Sequence, residues 1–450
     1  MFLHRSILIA IVCTWFSFNL SACNAIHSVI QSQNQSGFPQ PLPEFNRILL
    51  FNGVVLTMEE DQPQIEAILI RDLLIERVGS SQELLDLADE STLLIDLEGK
   101  MVLPGFVDSH SHWIGGHAYD TPDEAVADAL RNGWTSINEL TADEAMITEL
   151  VELDNQNRLR LRLNLYPNIN FTTPKNNLHY LDIFEPRFTY SPHLGIAGIK
   201  IFIDHFWGRT SHWSQAELND FVSEAQNKGW QVASHTLSAR AHDLLLNAFE
   251  HAQDKYPVED PRHRIEHAVQ MRPDQIMRSV ELGLITSVQL VGPGDAPEDP
   301  AFARLFMYSG PESLMPWRDY FEAGLITAGG LDWPGSIINS PIQAIHQAVT
   351  RIGLIERELE PWQLQQTLTV EQALRALTIN GAYATFEEGI KGSLTPGKYA
   401  DLVVLSENPL TVSVDTILDI QIEMTMVGGS VEYCAIGSEF LCPQYDSFEN

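Results

Sequence analysis

Eight short apolar runs recur through the middle of this chain, and they limit its architecture more than any other feature. They are GFVDSHSH, TSINEL, LRLRLNLY, GIKIFID, QVASHT, RIEHAV, ITSVQL and LITAGGLD. Segments of helical periodicity, such as AELNDFVSEAQNKG and ARAHDLLLNAFEHA, lie between several of them. Apolar strands alternating with helices predict a parallel sheet, and eight such units between residues 104 and 392 predict a (β/α)8 TIM barrel. LRLRLNLY fits least well, because Leu alternating with Arg, Arg and Asn is a poor pattern for a buried barrel strand.

The flanks read differently. RILLFNGVVLTM, IEAILIRDLLIERVG and STLLIDLEGKMVLPG are short β-like stretches with Asn-Gly and Gly-Lys turns. GSLTPGKYADLVVLSENP and EMTMVGGSVEY mirror them at the far end. The simplest account is one small β-sandwich built from both termini, residues 46–103 plus 393–435, with the α/β barrel of residues 104–392 inserted. Residues 436–450 form a C-terminal tail.

Residues 1–22 read as a signal peptide, since His4 and Arg5 precede an apolar run from Ile7 to Leu20 that is short for a spanning helix. The run ends in Leu20-Ser21-Ala22-Cys23, which resembles a bacterial lipoprotein cleavage box. That resemblance implies acylation of Cys23, a lipid anchor in a membrane, and an exported lipoprotein on its periplasmic or cell-surface side. An ordinary signal peptide with a chance cysteine is the alternative. Residues 23–45, rich in Gln, Asn, Ser and Pro, read as a tether. Cys13 falls in the removed segment, which leaves Cys434 and Cys442. In an oxidising compartment they are a candidate disulfide, with free buried thiols as the alternative. The balance of 27 basic against 60 acidic residues argues against nucleic acid as a partner, because phosphate binding needs basic patches. An apolar content of 44% is ample for a large core and excludes a disordered acidic chain. The expected partner is a small-molecule substrate, and nothing specifies the oligomeric state.

Barrel enzymes place their chemistry at the C-terminal ends of the strands. The first run ends in His110 and His112, which share a face because alternate strand side chains do. Two imidazoles side by side suit a metal ion, and two surface histidines after a turn are the plainer alternative. Lys200 lies in the fourth run, His235 ends the fifth, His267 the sixth and Asp332 the eighth. Ile199, Ile201 and Ile203 alternate with Lys200, so isoleucines facing the helices turn Lys200 into the barrel. A buried ammonium is costly unless paired or neutralised. Two outcomes are open: an ion pair with Asp204 or Glu139, or reaction with carbon dioxide to give a carbamate able to bridge two metal ions.

His117, His205 and His212 read as loop histidines, and His242, His251 and His346 as structural groups on helices. His263, between Arg262 and Arg264, is expected to be solvated. Trp207, Arg209 and Trp333 lie on active-face loops where they could touch substrate. Glu266, adjoining His267, is expected to face away from it and is left outside the site.

This order of metal-capable side chains resembles the amidohydrolase superfamily. NGVVLTM, DLEGKMVLPGFVDSHSH and GSLTPGKYADLVVL are similar to its hydantoinase-like and adenine-deaminase-like branches. IKIFID, GWQVASHTLSARAHDLLLNAFE, HRIEHA and TVEQALRALTINGAYATFEEGIKGSLTPGKYADLVVL resemble more closely the YtcJ-like, N-substituted formamide deformylase-like group, amidohydrolase family 3. The resemblance covers roughly residues 46–435. It implies one metal site from His110, His112 and Asp332 and a second from His235 and His267, bridged by carboxylated Lys200. The implied cofactor is a divalent metal, zinc by its imidazole and carboxylate ligands, at one or two ions per chain. The implied activity is hydrolysis of non-peptide carbon–nitrogen bonds, in amides, formamides or cyclic amides, by metal-activated water with Asp332 as base. A deaminase or a lactone or ester hydrolase on the same scaffold is one alternative, and a non-catalytic binding lipoprotein another. The chain departs from the group in its short interval of 88 positions between His112 and Lys200, where members carry a long insertion. That implies a more open pocket. Thr-Leu-Ser-Ala-Arg follows His235 where the group shows Gly-Asp before the Arg, and Gly-Gly-Leu precedes Asp332 where a Ser or Thr is common.

Overall fold

The isoleucines around Lys200 show why the barrel strands form. Ile199, Ile201 and Ile203 are buried in one apolar layer with Val232, Ile265 and Val288. Branched side chains of this kind favour extended backbone and fill the space between strands and helices. The residues between them turn inward, and many are polar. The structure is a computed structural model that describes residues 46–168, 180–204, 213–292, 314–354 and 359–443.

Eight parallel strands result: Phe106–Ser111, Trp134–Ala142, Arg162–Pro167, Ile199–Phe202, Val232–Thr236, Arg264–His267, Ile285–Gln289 and Ile326–Gly330. They fall in two five-stranded sheets, the first completed by a hairpin of Phe188–Ser191 and Leu194–Ile196. Both seams are bridged. Asn168 pairs with Lys200 between the third and fourth strands. Between the eighth and the first, Asp332 N donates to His110 O at 2.7 Å, and His112 N to Trp333 O at 2.8 Å. The chain is a closed (β/α)8 barrel. Gly330 makes the second seam possible, because a Cβ there would lie 2.6 Å from His110 N and 3.0 Å from Asp108 Oδ1.

The doubtful third run is a full barrel strand, and all of Arg162–Pro167 is buried. Its polar residues serve the barrel's floor, which is why the sequence pattern misled. Arg162 forms an ion pair with Asp401 at 2.6 Å and stacks on Tyr399, and Asn164 donates to Glu387 at 2.5 Å.

Both ends of the chain supply the flanking sheets. One has four strands, ordered Leu74–Gly79, Ala67–Arg71, Arg47–Phe51, Thr92–Asp96. The other has six: Ser430–Cys434, Ile422–Val427, Leu402–Leu405, Met101–Pro104, Val54–Leu56 and Gln64–Ile65. Ile48, Leu50, Val102, Leu402 and Met424 pack in one core between them. Cys434 and Cys442 are disulfide-bonded. Cys23 and residues 1–22, where a signal peptide is expected, lie outside the described residues. Among the described residues no helix is long and apolar enough to cross a membrane.

Candidate metal centre

Where the first strand ends, His110 is fully buried and His112 keeps 18% of its side chain exposed. Asp332 follows the eighth strand with a left-handed φ of 59°, a conformation that costs a non-glycine residue energy and marks a held position. Its Oδ1 lies 3.4 Å from His110 Nε2 and 3.1 Å from His112 Nε2. The three residues offer ligand atoms all within 4.8 Å of one another. His110 Nε2 is buried and makes no well-formed hydrogen bond. Two nitrogens and a carboxylate oxygen converging on one point, one of them orphaned, fit a divalent metal of the zinc type.

Two further imidazoles adjoin this triad. The His267 ring centre lies 4.5 Å from that of His110 and 4.3 Å from that of His235. His267 reaches the centre through a break in strand alternation. Glu266 pairs in register with His235, and both face the barrel interior, so a regular strand would send His267 outward. Positive φ at His267 (71°) and Ala268 (47°) swings the ring back. Gln289 Oε1 then lies 2.8 Å from its Nδ1.

Lys200 lies fully buried inside the barrel, and its Nζ has no hydrogen-bond partner. Neither ion pair considered for it exists. Asp204 instead accepts Leu237 N and Ser238 N at 3.0 and 2.9 Å and the Ser238 hydroxyl at 2.7 Å. Glu139 accepts the Thr141 hydroxyl at 2.5 Å and the Ile114 amide at 2.9 Å, and approaches His112 Nδ1 at 3.5 Å.

Charge follows burial and neighbours. Burial lowers the Lys200 pKa to about 8, partly opposed by Glu266 and Asp332. Burial works to raise Asp332, but the adjoining imidazoles of His110 and His112 outweigh it and hold the carboxyl well below its usual range. Burial likewise opposes protonation of His112, and Asp332 and Glu139 override it, raising the imidazole to about 9. His267 is lowered to about 3 by burial and by His110. His235 is also lowered, first by burial and then by His267.

Sequence reasoning missed Glu266. It is buried and points into the barrel, where its Oε2 lies 2.6 Å from His110 Nδ1. The signal was available: Arg264 and Glu266 share an inward face in RIEH, and the error was to count faces from His267. His263 also departs from expectation. It is buried, accepts Val232 N at 3.1 Å, contacts Gln226 at 3.0 Å and stacks on Phe249, because it immediately precedes the Arg264–His267 strand beneath the helices. Burial lowers it to about 3. His242 is buried on its helix against Ser238 O, His251 is exposed and His346 half-buried. His117 is an exposed loop residue. Trp333 is half-buried on the loop after the eighth strand, its ring 6.2 Å from that of Trp113. His205, Trp207, Arg209 and His212 lie outside the described residues.

A closed barrel with imidazoles and a carboxylate gathered at its strand ends is a frame suited to holding a divalent metal ion. This chain belongs to the amidohydrolase family, whose model matches residues 93–129 and 123–433. It is 30% identical over 235 residues to protein LONG AFTER FAR-RED 3 of Arabidopsis thaliana, which covers 48% of this chain and 39% of that protein. It is 29% identical over 262 residues to N-substituted formamide deformylase of Arthrobacter pascens, 54% of this chain and 46% of that one. The chain therefore spans less than half the length of these two relatives. Imidazolonepropionase of Porphyromonas gingivalis is 24% identical over 375 residues, 75% of this chain and 82% of the enzyme. The fold is that of an uncharacterised metal-dependent hydrolase from Pyrococcus furiosus, with a TM-score of 0.66, 19% identity, and coverage of 81% of this chain and 100% of that one.

Proposed function

We propose that this protein is a metal-dependent hydrolase of non-peptide carbon–nitrogen bonds in small molecules such as amides, formamides or cyclic amides. The observation that carries the reading is the convergence of His110 Nε2 and His112 Nε2 on Asp332 Oδ1. Membership of the amidohydrolase family and the likeness to a formamide deformylase and an imidazolonepropionase support the bond class. His110, His112 and Asp332 would hold one zinc-like ion, and His235 and His267 a second. Bound there, a divalent metal supplies Lewis acidity and lowers the pKa of water.

The chain's own residues do the rest. Asp332 keeps 20% of its side chain exposed, so it can meet water and substrate. As an ionised carboxylate it takes the proton of the attacking water and delivers it to the departing nitrogen. His112, the more exposed imidazole, borders the substrate's approach. Lys200 is the carbamate candidate. Its neutral amine adds to carbon dioxide, forming an N–C bond and releasing a proton, and the product is a carboxylate where an unpartnered ammonium stood. Anchoring through acylated Cys23, on the periplasmic or cell-surface side of a bacterial membrane, belongs to the same proposal.

The test is metal content on chain purified without chelators, followed by a panel of amides, formamides and cyclic imides. Two transition-metal ions per chain and release of amine or ammonia are expected. A chain that retains no metal after reconstitution with zinc and bicarbonate overturns the reading.

A further inference from the structure

We propose that Glu266 is the positioning residue of this centre, fixing His110 so that Nε2, and not Nδ1, is presented to a metal. The inference rests on the metal-centre reading above and goes beyond the ligand set. His110 has two ring nitrogens, and an acceptor on one of them fixes the tautomer and orientation in which the other meets a metal. Glu266 Oε2 is that acceptor, 2.6 Å from Nδ1. The contact is buried on both sides.

The carboxylate is itself locked. Arg264 grips it twice, Nε to Oε1 at 2.7 Å and Nη2 to Oε2 at 3.1 Å. Such a bidentate pair fixes orientation as well as charge. Arg264 is anchored in turn by Ser109 O at 2.5 Å and the Tyr166 hydroxyl at 2.8 Å. The Tyr166 hydroxyl donates to Gln231 Oε1 at 2.8 Å, and Gln231 Nε2 donates to Arg262 O and Ala384 O at 2.6 and 2.9 Å. An unbroken polar chain thus runs down the barrel axis from the metal centre towards its floor. With its charge balanced by Arg264, Glu266 acts as acceptor only, so Nδ1 carries the hydrogen and the Nε2 lone pair is free for a metal.

His112 is held differently. Its Nδ1 lies 3.3 Å from the Thr141 hydroxyl, which donates onward to Glu139 at 2.5 Å. A hydroxyl relay at longer range grips less firmly than a direct carboxylate. His110 is therefore the fixed ligand, and His112 the one free to adjust.

The experiment measures zinc affinity by competition with a chromogenic chelator on the full chain and on Glu266→Gln. Unfolding midpoints are recorded in EDTA alongside. The amide keeps the shape but sets an NH2 group against Arg264 or against His110. Zinc affinity should fall by about tenfold to a hundredfold, in a protein that still unfolds cooperatively. Glu266→Asp, which keeps the charge and the Arg264 pair while drawing the oxygen back from His110, should show a smaller loss and covers the case in which the amide variant does not fold. Affinity equal to the parent's in whichever variant folds overturns the inference. A parent that binds zinc but cleaves no carbon–nitrogen bond would instead defeat the functional reading and leave this one standing. A parent that binds no zinc defeats both.

Discussion

Arg162 and Asp401 meet at the junction of barrel and sandwich, with Nε and Nη2 at 2.6 and 2.7 Å from the two carboxylate oxygens and both side chains almost fully enclosed. The pair joins the first residue of a barrel strand to the start of the returning sandwich. Removing one partner strands a buried charge, so Asp401→Ala should cost about 3–5 kcal/mol in urea unfolding. Joint replacement by apolar residues should cost clearly less.

The same pair sets an acid limit. Burial works to raise the Asp401 pKa, and Arg162 outweighs it, so the folded value lies below the ordinary 3.8. A depressed carboxylate contributes stability above its unfolded pKa, and that contribution is lost as pH falls through the folded value. Urea midpoints of the parent should therefore drop below about pH 4, and those of Asp401→Asn should drop less over the same range.

Lys200 gives a slope of the same sign at the alkaline end of the scale, where a burial cost is relieved as pH rises. In metal-free, bicarbonate-free protein its folded pKa is about 8 against 10.5 for the free side chain. The ammonium's burial cost is present in full below the folded value and fades as pH rises towards the unfolded one. Lys200→Met should stabilise the metal-free chain at neutral pH by about 2–3 kcal/mol, and the gain should vanish in strong alkali. The same variant should lose retention of a second metal ion. A variant no more stable than its parent at neutral pH would mean that Lys200 finds a partner after all.

Gly330→Ala should damage the centre while leaving every ligand side chain in place. The added methyl would press on His110 N and O at 2.6 and 3.0 Å, prising the eighth strand from the first. A loss of about 1–3 kcal/mol and weaker zinc retention are expected from calorimetry and metal analysis of the same sample.

At the centre itself, Asp332→Asn should keep the fold by circular dichroism and lose about a hundredfold or more in turnover. His110→Ala combined with His112→Ala should abolish both metal retention and turnover. Activity surviving in the double variant would remove the site from this end of the barrel.

The barrel was legible because its outward residues are regular. Ile199, Ile201 and Ile203 betray a strand and place Lys200 inside it. His110, His112, His235 and Asp332 stood out because each lies at or just past the end of such a run. Periodicity fails where the backbone leaves the strand. His267 bends inward at positive φ, so counting faces from it sent Glu266 the wrong way. It also fails where polar residues line an interior, as Arg162 and Asn164 do. The burial of His263 depends on Phe249 and Gln226, contacts between segments that no local pattern carries.

The order in which this chain can finish folding follows from its sandwich. Every metal-capable side chain of the centre occurs by Asp332, yet Met101–Pro104, already beside Val54–Leu56, finds its second neighbour only in Leu402–Leu405. During synthesis the barrel strands are all made while the Met101–Pro104 edge is still unpaired on that side, and Arg162 has no Asp401. Closure of the whole molecule waits on its last strands, so a nascent chain carries a nearly complete set of ligands on a scaffold not yet clamped. Metal taken up at that stage would meet a looser centre than the finished protein offers.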